Sequence, residues 1–376
     1  MRIKVFHVIT GLGDGGAEGV LYRLIQETLE DCDSMVISLS DMGKYGSLIN
    51  DLGVKVVCLN MQRGKINLTG LFSLYKFLKT FKPDVVQTWM HHADFVAGVL
   101  SYFLKVKSIY WNLRSAELHK KKTKKRTRMV VKACAMLSNY VPSKIVSCSN
   151  RAISVSLGFG YANNFELIPN GCNTLLFSPD KSYRFEMRKG WNVLDDYFVI
   201  GMIARYDPQK DHANLIKSFA IISRKRNDVK LILAGSGVDY SNEELVSCIN
   251  KEGVLEKVIL LGQQSNIPKV MNGLDIHVLS SLYGEAFPNV LTEAMSCGIP
   301  CVATDIGDSM EIISDCGWTV EAGSCSKLSL AIIEAYQMKL DSPKEWNELK
   351  LRCVNRVKNN FSLEKMVDRY ITLWKG

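Results

Sequence analysis

Short apolar runs alternate with longer amphipathic stretches along the whole of this 376-residue chain. Most of the apolar runs are almost continuously hydrophobic, which is typical of strands buried on both faces of a sheet. Strands that alternate with helices indicate βαβ units, in which each crossover helix covers a parallel sheet. This alternation constrains the chain to an α/β fold before any single motif is considered.

The predicted strands form two groups with a break between them. The first group is Ile3–Ile9, Met35–Leu39, Val54–Leu59, Asp84–Thr88, Ser108–Trp111, Lys144–Cys148 and Glu166–Pro169. The second group is Phe198–Ala204, Lys230–Ala234, Val258–Leu261, Asp275–Leu279, Pro300–Ala303 and Trp318–Val320. The polar stretch between the groups places a domain boundary near Phe177. We predict two doubly wound, Rossmann-like domains, 1–177 and 178–361, that face each other across a cleft.

Composition limits the classes of protein to which this chain can belong. A hydrophobic content of 47% is enough for sizeable cores and argues against disorder. The 11 cysteines include no C-x-x-C pair and no zinc-ligand spacing, which favours a reducing, cytoplasmic compartment. The longest apolar run, Phe95–Leu104, is too short to span a bilayer, and the N-terminus does not resemble a signal peptide. We therefore expect a cytoplasmic protein that does not cross a membrane.

The positive charge is concentrated in the first half of the chain. Residues 1–180 contain 23 Lys and Arg against 13 Asp and Glu, whereas the remainder contains 24 against 25. A basic run precedes the apolar stretch Met129–Leu137, and this combination suits an anionic membrane surface. The basic residues are Lys120, Lys121, Lys122, Lys124, Lys125, Arg126 and Arg128. Nucleic acid is a less suitable partner because no stacking aromatics interrupt the run, and a plain solvated face is the other alternative.

Two glutamates, Glu285 and Glu293, stand with seven residues between them just after a predicted strand. Pro288 suits the first position of a helix, so Glu285 precedes that helix and Glu293 lies in its second turn. A helix N-terminus attracts phosphate through free N–H groups and its dipole. Carboxylates beside phosphate would repel it, so these two suit the hydroxyls of a ribose or a sugar ring. A helix cap or a lysine partner is the structural alternative.

Two cations, Arg205 and Lys210, follow the first predicted strand of the second domain. An arginine supplies a planar fork and a lysine a point charge, and together they can clamp a diphosphate. When the leaving group is a diphosphate, fixed cations meet its growing charge and stabilise the transition state more than the ground state. A solvated basic loop is the alternative.

The glycines Gly11, Gly13 and Gly16 follow the first strand and precede a helix. Alone, this G-x-G-x-x-G pattern predicts a dinucleotide site, which requires an acidic residue after the second strand. Asp41 supplies that residue only loosely. The pattern therefore leaves open an NAD(P)-dependent oxidoreductase, a different phosphate or sugar site, and a simple tight turn.

Five segments occur in the order found in a known family. They are Gly11–Glu18, Ile168–Gly171, Ala204–Lys210, Ala234–Gly237 and Tyr283–Asp308. Together they resemble the family-4 retaining glycosyltransferases of the GT-B fold, of the type that builds surface polysaccharides. The resemblance covers most of the chain. It implies that the C-terminal helix, 362–376, crosses back onto the first domain.

The resemblance implies a donor site in the second domain. Arg205 and Lys210 would hold the diphosphate of a nucleotide-sugar. Glu293 would bind the ribose and Glu285 the hydroxyls of the transferred sugar. The remaining donor contacts, largely through backbone groups, would come from Gly262, Ile267, Phe287, Asn289 and Val290.

The resemblance also implies ligand contacts in the first domain. Gly15 and Gly16 would supply backbone N–H groups to the diphosphate or the acceptor. His92 matches a tryptophan-x-x-histidine-alanine pattern, and it would bind the donor sugar or orient the acceptor. Because adjacent histidines point opposite ways in extended structure, only one of His91 and His92 is expected to face the ligand. Arg114 would bind an anionic acceptor, with a surface ion pair as the alternative.

The sequence thus predicts a retaining glycosyltransferase with Arg205, Lys210, Glu285 and His92 as catalytic residues. Its partners would be a UDP- or GDP-sugar, a glycan or polyprenyl-diphosphate-linked acceptor and an anionic membrane, but not nucleic acid. No cofactor or metal is expected, because the one Asp-x-Asp, Asp31–Asp33, lies at the wrong end of a strand. An oxidoreductase, a non-catalytic nucleotide-sugar-binding subunit and a sugar-nucleotide epimerase are the alternatives.

Overall fold

The computed structural model describes residues 2–62, 67–114 and 125–376, which separate into two compact units. The first unit comprises Met1–Gly171 with Leu363–Gly376, and the second comprises Cys172–Ser362. The units thus divide after Gly171, upstream of the predicted boundary at Phe177. The intervening residues bond within the second unit, because the N–H of Cys172 donates to the carbonyl of Phe361 and the hydroxyl of Ser296 donates to the carbonyl of Phe177.

A seven-stranded parallel sheet forms the centre of the first unit, in the order β3-β2-β1-β4-β5-β6-β7. Its strands are β1 Ile3–Ile9, β2 Cys32–Ser38, β3 Lys55–Cys58, β4 Val85–Trp89, β5 Ser108–Leu113, β6 Lys144–Ser147 and β7 Phe165–Leu167. Its helices are α1 Gly16–Glu27, α2 Gly43–Asp51, α3 Leu68–Phe81, α4 His91–Ala93, α5 Val99–Phe103, α6 Lys125–Leu137 and α7 Asn150–Gly158. A π-helical turn, Asp94–Gly98, joins α4 to α5. The order reverses beside β1, so the sheet is doubly wound.

A six-stranded parallel sheet forms the centre of the second unit, in the order β10-β9-β8-β11-β12-β13. Its strands are β8 Phe198–Ile203, β9 Val229–Ala234, β10 Val258–Leu260, β11 Ile276–Leu279, β12 Cys301–Thr304 and β13 Gly317–Val320. Its helices are α8 Lys181–Gly190, α9 His212–Ser223, α10 Glu243–Lys251, α11 Ile267–Gly273, α12 Asn289–Ser296, α13 Ser309–Ile313, α14 Cys325–Asp341 and α15 Pro343–Asn360, with a 3₁₀ turn at Leu255–Lys257. Strand order reverses between β8 and β11, where ligands bind in sheets of this kind.

The last helix, α16 (Leu363–Lys375), belongs to the first unit. It buries Tyr370 and Trp374 in the same core as α1 and β1. The indole N–H of Trp374 donates to Gln87 Oε1 at 3.1 Å, and the amide of Asn112 donates to Tyr370 Oη at 2.8 Å. These buried hydrogen bonds, added to apolar burial, fix the helix against the sheet.

Each predicted strand is present as a strand, and the α/β fold class is confirmed. The agreement follows from burial, since central strands such as β1, β8 and β11 are buried on both faces and therefore consist of apolar runs. Within the described residues, no helix combines the length and the hydrophobicity that crossing a bilayer requires.

Candidate functional site

The turn from β8 to α9 carries Arg205 and Lys210 at the C-terminal edge of the second sheet. Hydrogen bonds fasten this turn to its neighbours on both sides. The N–H of Tyr206 donates to the carbonyl of Ser236 at 2.8 Å, and the N–H of Leu282 donates to the carbonyl of Gln209 at 2.7 Å. The turn is therefore held between the loops that follow β9 and β11.

The side chains of Lys210 and Glu285 form an ion pair, and both are largely buried. The same carboxylate oxygen, Glu285 Oε1, accepts a 2.6 Å hydrogen bond from the hydroxyl of Ser281. Ser281 is fully buried, and its own carbonyl accepts a 2.6 Å bond from the hydroxyl of Thr304. Two motifs that lie 75 residues apart in the chain thus meet in one fixed cation–carboxylate pair.

The helix α12 begins immediately after this pair, with Pro288 as its N-cap and Asn289 as its first residue. Pro288 therefore stands one position earlier than the sequence suggested. The N–H of Phe287 donates to no group in the described part of the chain, while its ring packs edge-on against Phe361 at 5.5 Å. Glu293 lies in the second turn and is half-buried. The start of α12 thus places the positive end of the helix dipole beside two carboxylates.

Two buried histidines, His277 and His212, interact with the charge of Lys210 and are neutral. Burial, with a smaller contribution from Lys210, lowers the pKa of His277 to about 3 and that of His212 to about 4. His277 lies on β11, and its Nε2 accepts the N–H of Ile203 at 3.3 Å. At neutral pH these imidazoles carry no charge, so Lys210 is the positive charge among these three side chains.

The guanidinium of Arg205 is exposed and donates from Nε to Asp207 Oδ2 at 3.3 Å. Burial tends to raise the pKa of Asp207, but the N–H of Gln209 and the Arg205 guanidinium together hold it below its usual value. Asp207 thus remains charged and restrains Arg205 by a single hydrogen bond. An exposed arginine held this loosely can turn toward an anionic ligand.

The region predicted for the nucleotide base lies at the ends of β9 and β10. Gly262 has a φ of +66°, its N–H donates to the carbonyl of Val238, and its carbonyl accepts the N–H of Gly235, both at 2.8 Å. Ile267 is the first residue of α11, whose N-cap is Asn266. These backbone positions belong to the same edge of the second sheet as Lys210.

In the first unit, Gly15 is the N-cap of α1 and Gly16 is its first residue. A Cβ placed on Gly13 or Gly16 would meet nothing within 4 Å, whereas one on Gly15 would meet Glu18 Oε2 at 2.4 Å. The start of α1 therefore has open space beside its first N–H groups. Asp14, in the same turn, pairs with Lys44 at 3.0 Å.

The two histidines begin α4 and do not lie in an extended segment. His91 is half-buried, burial and the neighbouring His92 lower its pKa to about 4, and its Nδ1 lies 3.3 Å from the hydroxyl of Tyr161. His92 is half-buried, and burial lowers its pKa. The two histidines are thus both half-buried, and the hydrogen bond with Tyr161 distinguishes His91 from His92.

Arg114 follows β5 and is held by three groups of the first unit. It donates to Asn170 Oδ1 and, at 2.9 Å, to the hydroxyl of Tyr370, and it lies 4.7 Å above the ring of Trp89. No carboxylate in the described part of the chain pairs with it. Within the described residues, Arg114 is therefore held by neutral groups and not by a carboxylate.

The predicted membrane residues are described only in part. Lys120, Lys121, Lys122 and Lys124 lie outside the described residues, whereas Lys125, Arg126 and Arg128 form the first turn of α6.

Two buried residues were not identified from the sequence. Ser281 fixes Glu285, and a serine four residues before the first glutamate is a spacing that could have indicated this contact. Asp94, in the π-helical turn, accepts from Thr88 Oγ1 at 2.6 Å and from the N–H of Asn112 at 3.4 Å. Burial raises the pKa of Asp94 to about 7 despite these bonds. π-helical turns are frequent at functional sites, but no pattern in the sequence indicated one here.

Known proteins are similar to this chain over much of its length. Residues 184–351 match the family model described as "Glycosyl transferases group 1". EpsF of Bacillus subtilis (strain 168), which is named as a glycosyltransferase, is 27% identical over 314 residues, covering 80% of this chain and 79% of its own. The Escherichia coli enzyme named UDP-Gal:alpha-D-GlcNAc-diphosphoundecaprenol alpha-1,3-galactosyltransferase is 22% identical over 327 residues, covering 85% and 82%.

A solved structure with the same architecture is that of HepE from Anabaena in complex with UDP. It superposes with a TM-score of 0.87, at 20% sequence identity, and covers 99% of this chain and 100% of its own. This similarity identifies the fold. The matches favour glycosyl transfer over the oxidoreductase suggested by the Gly11 turn, and they are those of an enzyme rather than of a non-catalytic subunit.

Proposed function

Because this chain is a glycosyltransferase of the GT-B fold whose residues 184–351 form a group 1 domain, we propose that it is a retaining enzyme that uses a nucleotide-diphosphate sugar. It transfers a hexosyl or N-acetylhexosaminyl group to an acceptor hydroxyl. UDP-sugars are the favoured donors, since the HepE complex contains UDP, and GDP-sugars are the alternative.

The observation that carries this proposal is the position of Lys210 and Glu285 side by side just before α12, although Glu285 thereby also has the lysine partner that the sequence left open. In a nucleotide-sugar, the transferred ring is bonded directly to the distal phosphate. A site for this part of the donor needs a cation that binds the phosphate and, beside it, a carboxylate that accepts hydrogen bonds from the sugar hydroxyls. Lys210 and Glu285 supply this pair, and Ser281 keeps the carboxylate in place.

Catalysis rests on charge and position, because no residue of the site stands out as a covalent nucleophile. Lys210 and Arg205 meet the negative charge that grows on the departing diphosphate. The N–H groups of Phe287, Asn289 and Val290 add the positive end of α12. The diphosphate itself accepts the proton of the acceptor hydroxyl, and no metal ion is needed.

The other predicted residues bind or orient the two substrates. Glu293 bonds the ribose hydroxyls, and the backbone at Gly262 and Ile267 contacts the base. In the first unit, Gly15 and Gly16 approach the diphosphate or the acceptor closely, while His92 orients the reacting sugar or hydroxyl. Arg114 binds an anionic group of the acceptor.

The acceptor is a lipid-linked or polysaccharide intermediate of bacterial surface glycan synthesis, such as O-antigen or capsule. The name of the E. coli relative specifies a diphosphoundecaprenol-linked acceptor. An acceptor of this kind resides in a membrane, and the basic residues from Lys120 to Arg128 would hold the enzyme peripherally at the cytoplasmic face of the plasma membrane.

Three measurements test the proposal. A thermal-shift screen with UDP, GDP and their sugars should show stabilisation that grows with ligand concentration for one nucleotide series. Release of that nucleoside diphosphate should then require an acceptor, continue in EDTA, and give a product with the anomeric configuration of the donor by NMR. Inversion of configuration would exclude the retaining mechanism, while a changed sugar without an acceptor would indicate an epimerase.

A matched pair of variants links activity to the site. Lys210→Met removes the proposed cation, whereas Lys217→Met removes an exposed lysine of α9. Only the first should abolish the thermal shift with nucleoside diphosphate. Equal shifts in both variants would contradict the proposed donor site.

A further inference from the structure

Four elements, α3, the π-helical turn, α5 and α6, cover one face of the seven-stranded sheet. The helix α3 packs on β1 and β2 through Leu74 and Leu78, and α6 packs on β5 and β6 through Val131 and Cys134. The π-helical turn and α5 lie between them, since Phe95 packs against both clusters. The outward sides of these elements therefore belong to one layer.

Large apolar side chains are exposed on the outward side of α3. Leu68 is 84% exposed and Phe72 is 58% exposed, and Tyr75 follows them at helical spacing. The rings of Phe72 and Tyr75 stack on each other with centroids 6.5 Å apart. A surface helix of a globular protein ordinarily exposes polar side chains, so a stripe of exposed apolar side chains on α3 is unusual.

The outward side of α6 shows the same combination. Met129 is 70% exposed and Met136 is 76% exposed, one turn on either side of Lys132. Lys125 and Arg126 lie in the turn before Met129. Flexible apolar side chains and cations thus alternate along this helix.

The three α-helices of this layer carry charge of one sign, and the aspartate of the π-helical turn, Asp94, is buried. The sequences of α3, α5 and α6 contain no aspartate or glutamate. Lys76 lies 4.7 Å from the ring of Phe72, and Lys79 lies 5.7 Å from the ring of Tyr75. A partner of this surface must therefore be negatively charged and must also accept apolar side chains.

We infer that the outward faces of α3 and α6 bind an anionic lipid bilayer, with Leu68, Phe72, Tyr75, Met129 and Met136 inserted among the lipids. Lysines in this position reach the phosphates, and aromatic and methionine side chains enter the headgroup–acyl boundary. The inference rests on the proposed action at a membrane. It extends the contact from the basic run, which begins at Lys120, to α3, which ends at Phe81.

A double variant of α3 tests this assignment, and the second unit offers a matched control. Phe72→Ser with Lys76→Gln removes one exposed aromatic and the lysine one turn later. Phe185→Ser with Lys189→Gln removes the same pair from α8, where Phe185 is 65% exposed. Full-length proteins are sedimented with vesicles of phosphatidylcholine alone or with 30% phosphatidylglycerol.

The wild type and the α8 variant should bind only the vesicles that contain phosphatidylglycerol, and binding should weaken at high salt. The α3 variant should bind these vesicles about tenfold or more weakly, since each basic residue near the lipid contributes about fivefold. Lys76→Gln with Lys79→Gln should separately weaken binding without any change in apolar surface.

Several results would overturn the inference. They are wild-type affinity in the α3 variant, an equal loss in the α8 variant, absence of wild-type binding to either vesicle, and binding to single-stranded RNA but not to lipid. Turnover on a soluble acceptor analogue should be unchanged in all variants. This readout separates failure of the membrane surface from failure of the proposed reaction.

Discussion

The turns β1–α1 and β8–α9 occupy the same position in their units, after the first strand of a doubly wound sheet, yet they differ in chemistry. The first turn offers space, because a Cβ on Gly13 or Gly16 would have no neighbour within 4 Å. The second turn offers charge through Arg205 and Lys210, and hydrogen bonds to neighbouring loops hold it in place.

Two turns at the same position of a doubly wound sheet therefore need not have the same role. A turn with small residues lets a ligand approach the backbone, whereas a turn with cations stabilises negative charge that develops on a ligand. We therefore propose that the second unit stabilises the leaving group and that the first unit lets the substrate approach the backbone closely.

Removing charge from the second turn should have the largest effect. Lys210→Ala and Arg205→Ala should each lower kcat by about 10²- to 10³-fold, the loss expected for one partner of transition-state charge. Steady-state kinetics with the preferred donor measure this effect, with Lys217→Ala as the control. Near-normal turnover in either variant would remove that residue from the mechanism.

Adding volume to the first turn should have the next largest effect. Gly16→Val should lower kcat/KM by about 10- to 100-fold, because the new side chain occupies the space that the substrate needs. The melting temperature should stay unchanged, since the Cβ meets no neighbour. Gly190→Val, which also points into open space at the end of α8, is the control. Unchanged kcat/KM would show that this space is not used.

Loss of the Ser281 hydroxyl should have a smaller effect on rate. Ser281→Ala removes a hydrogen bond to the charged Glu285 and should lower kcat about tenfold, with a smaller change in KM. Ser296→Ala removes another buried hydroxyl, at the far end of α12, and should affect melting but not kcat. If the two variants had equal kinetics, Ser281 would have only a structural role.

The two units also differ in how the charge of a buried aspartate affects folding stability as pH changes. In the second unit, burial would raise the pKa of Asp275, but Arg184, Lys339 and Arg188 lower it to about 2. This group contributes stability above its unfolded pKa of about 4, and that stability is lost as pH falls toward 2. In the first unit, burial raises the pKa of Asp94 to about 7, so its cost to stability grows as pH rises from about 4 to 7.

The smallest expected effect is a pH-dependent change in melting temperature when Asp94 is replaced, and replacing Asp275 should change the melting temperature in the opposite direction. Asp94→Asn should raise the melting temperature relative to wild type, and by more at pH 8 than at pH 5, because the amide carries no charge at either pH. Asp275→Asn should lower the melting temperature at pH 7, because three cations lose their partner. A pH-independent difference for Asp94→Asn would contradict the assigned titration.

The sequence alone determined the α/β class, the positions of the strands and the identities of the two charged motifs. These features are local. A strand buried on both faces is an apolar run, and the charged residues of the turn that follows it can be read directly from the sequence. Glu285, Glu293, Arg205 and Lys210 could be selected for this reason before any contact was known.

Only the tertiary structure decided which of these residues touch. The Lys210–Glu285 pair and its support from Ser281 depend on β8 and β11 lying side by side, although these strands are far apart in the chain. The exposed stripe of α3 and the buried state of Asp94 likewise depend on which side of an element packs on the sheet. Contacts between distant segments follow from the register and packing of whole elements, and no short window of sequence contains that information.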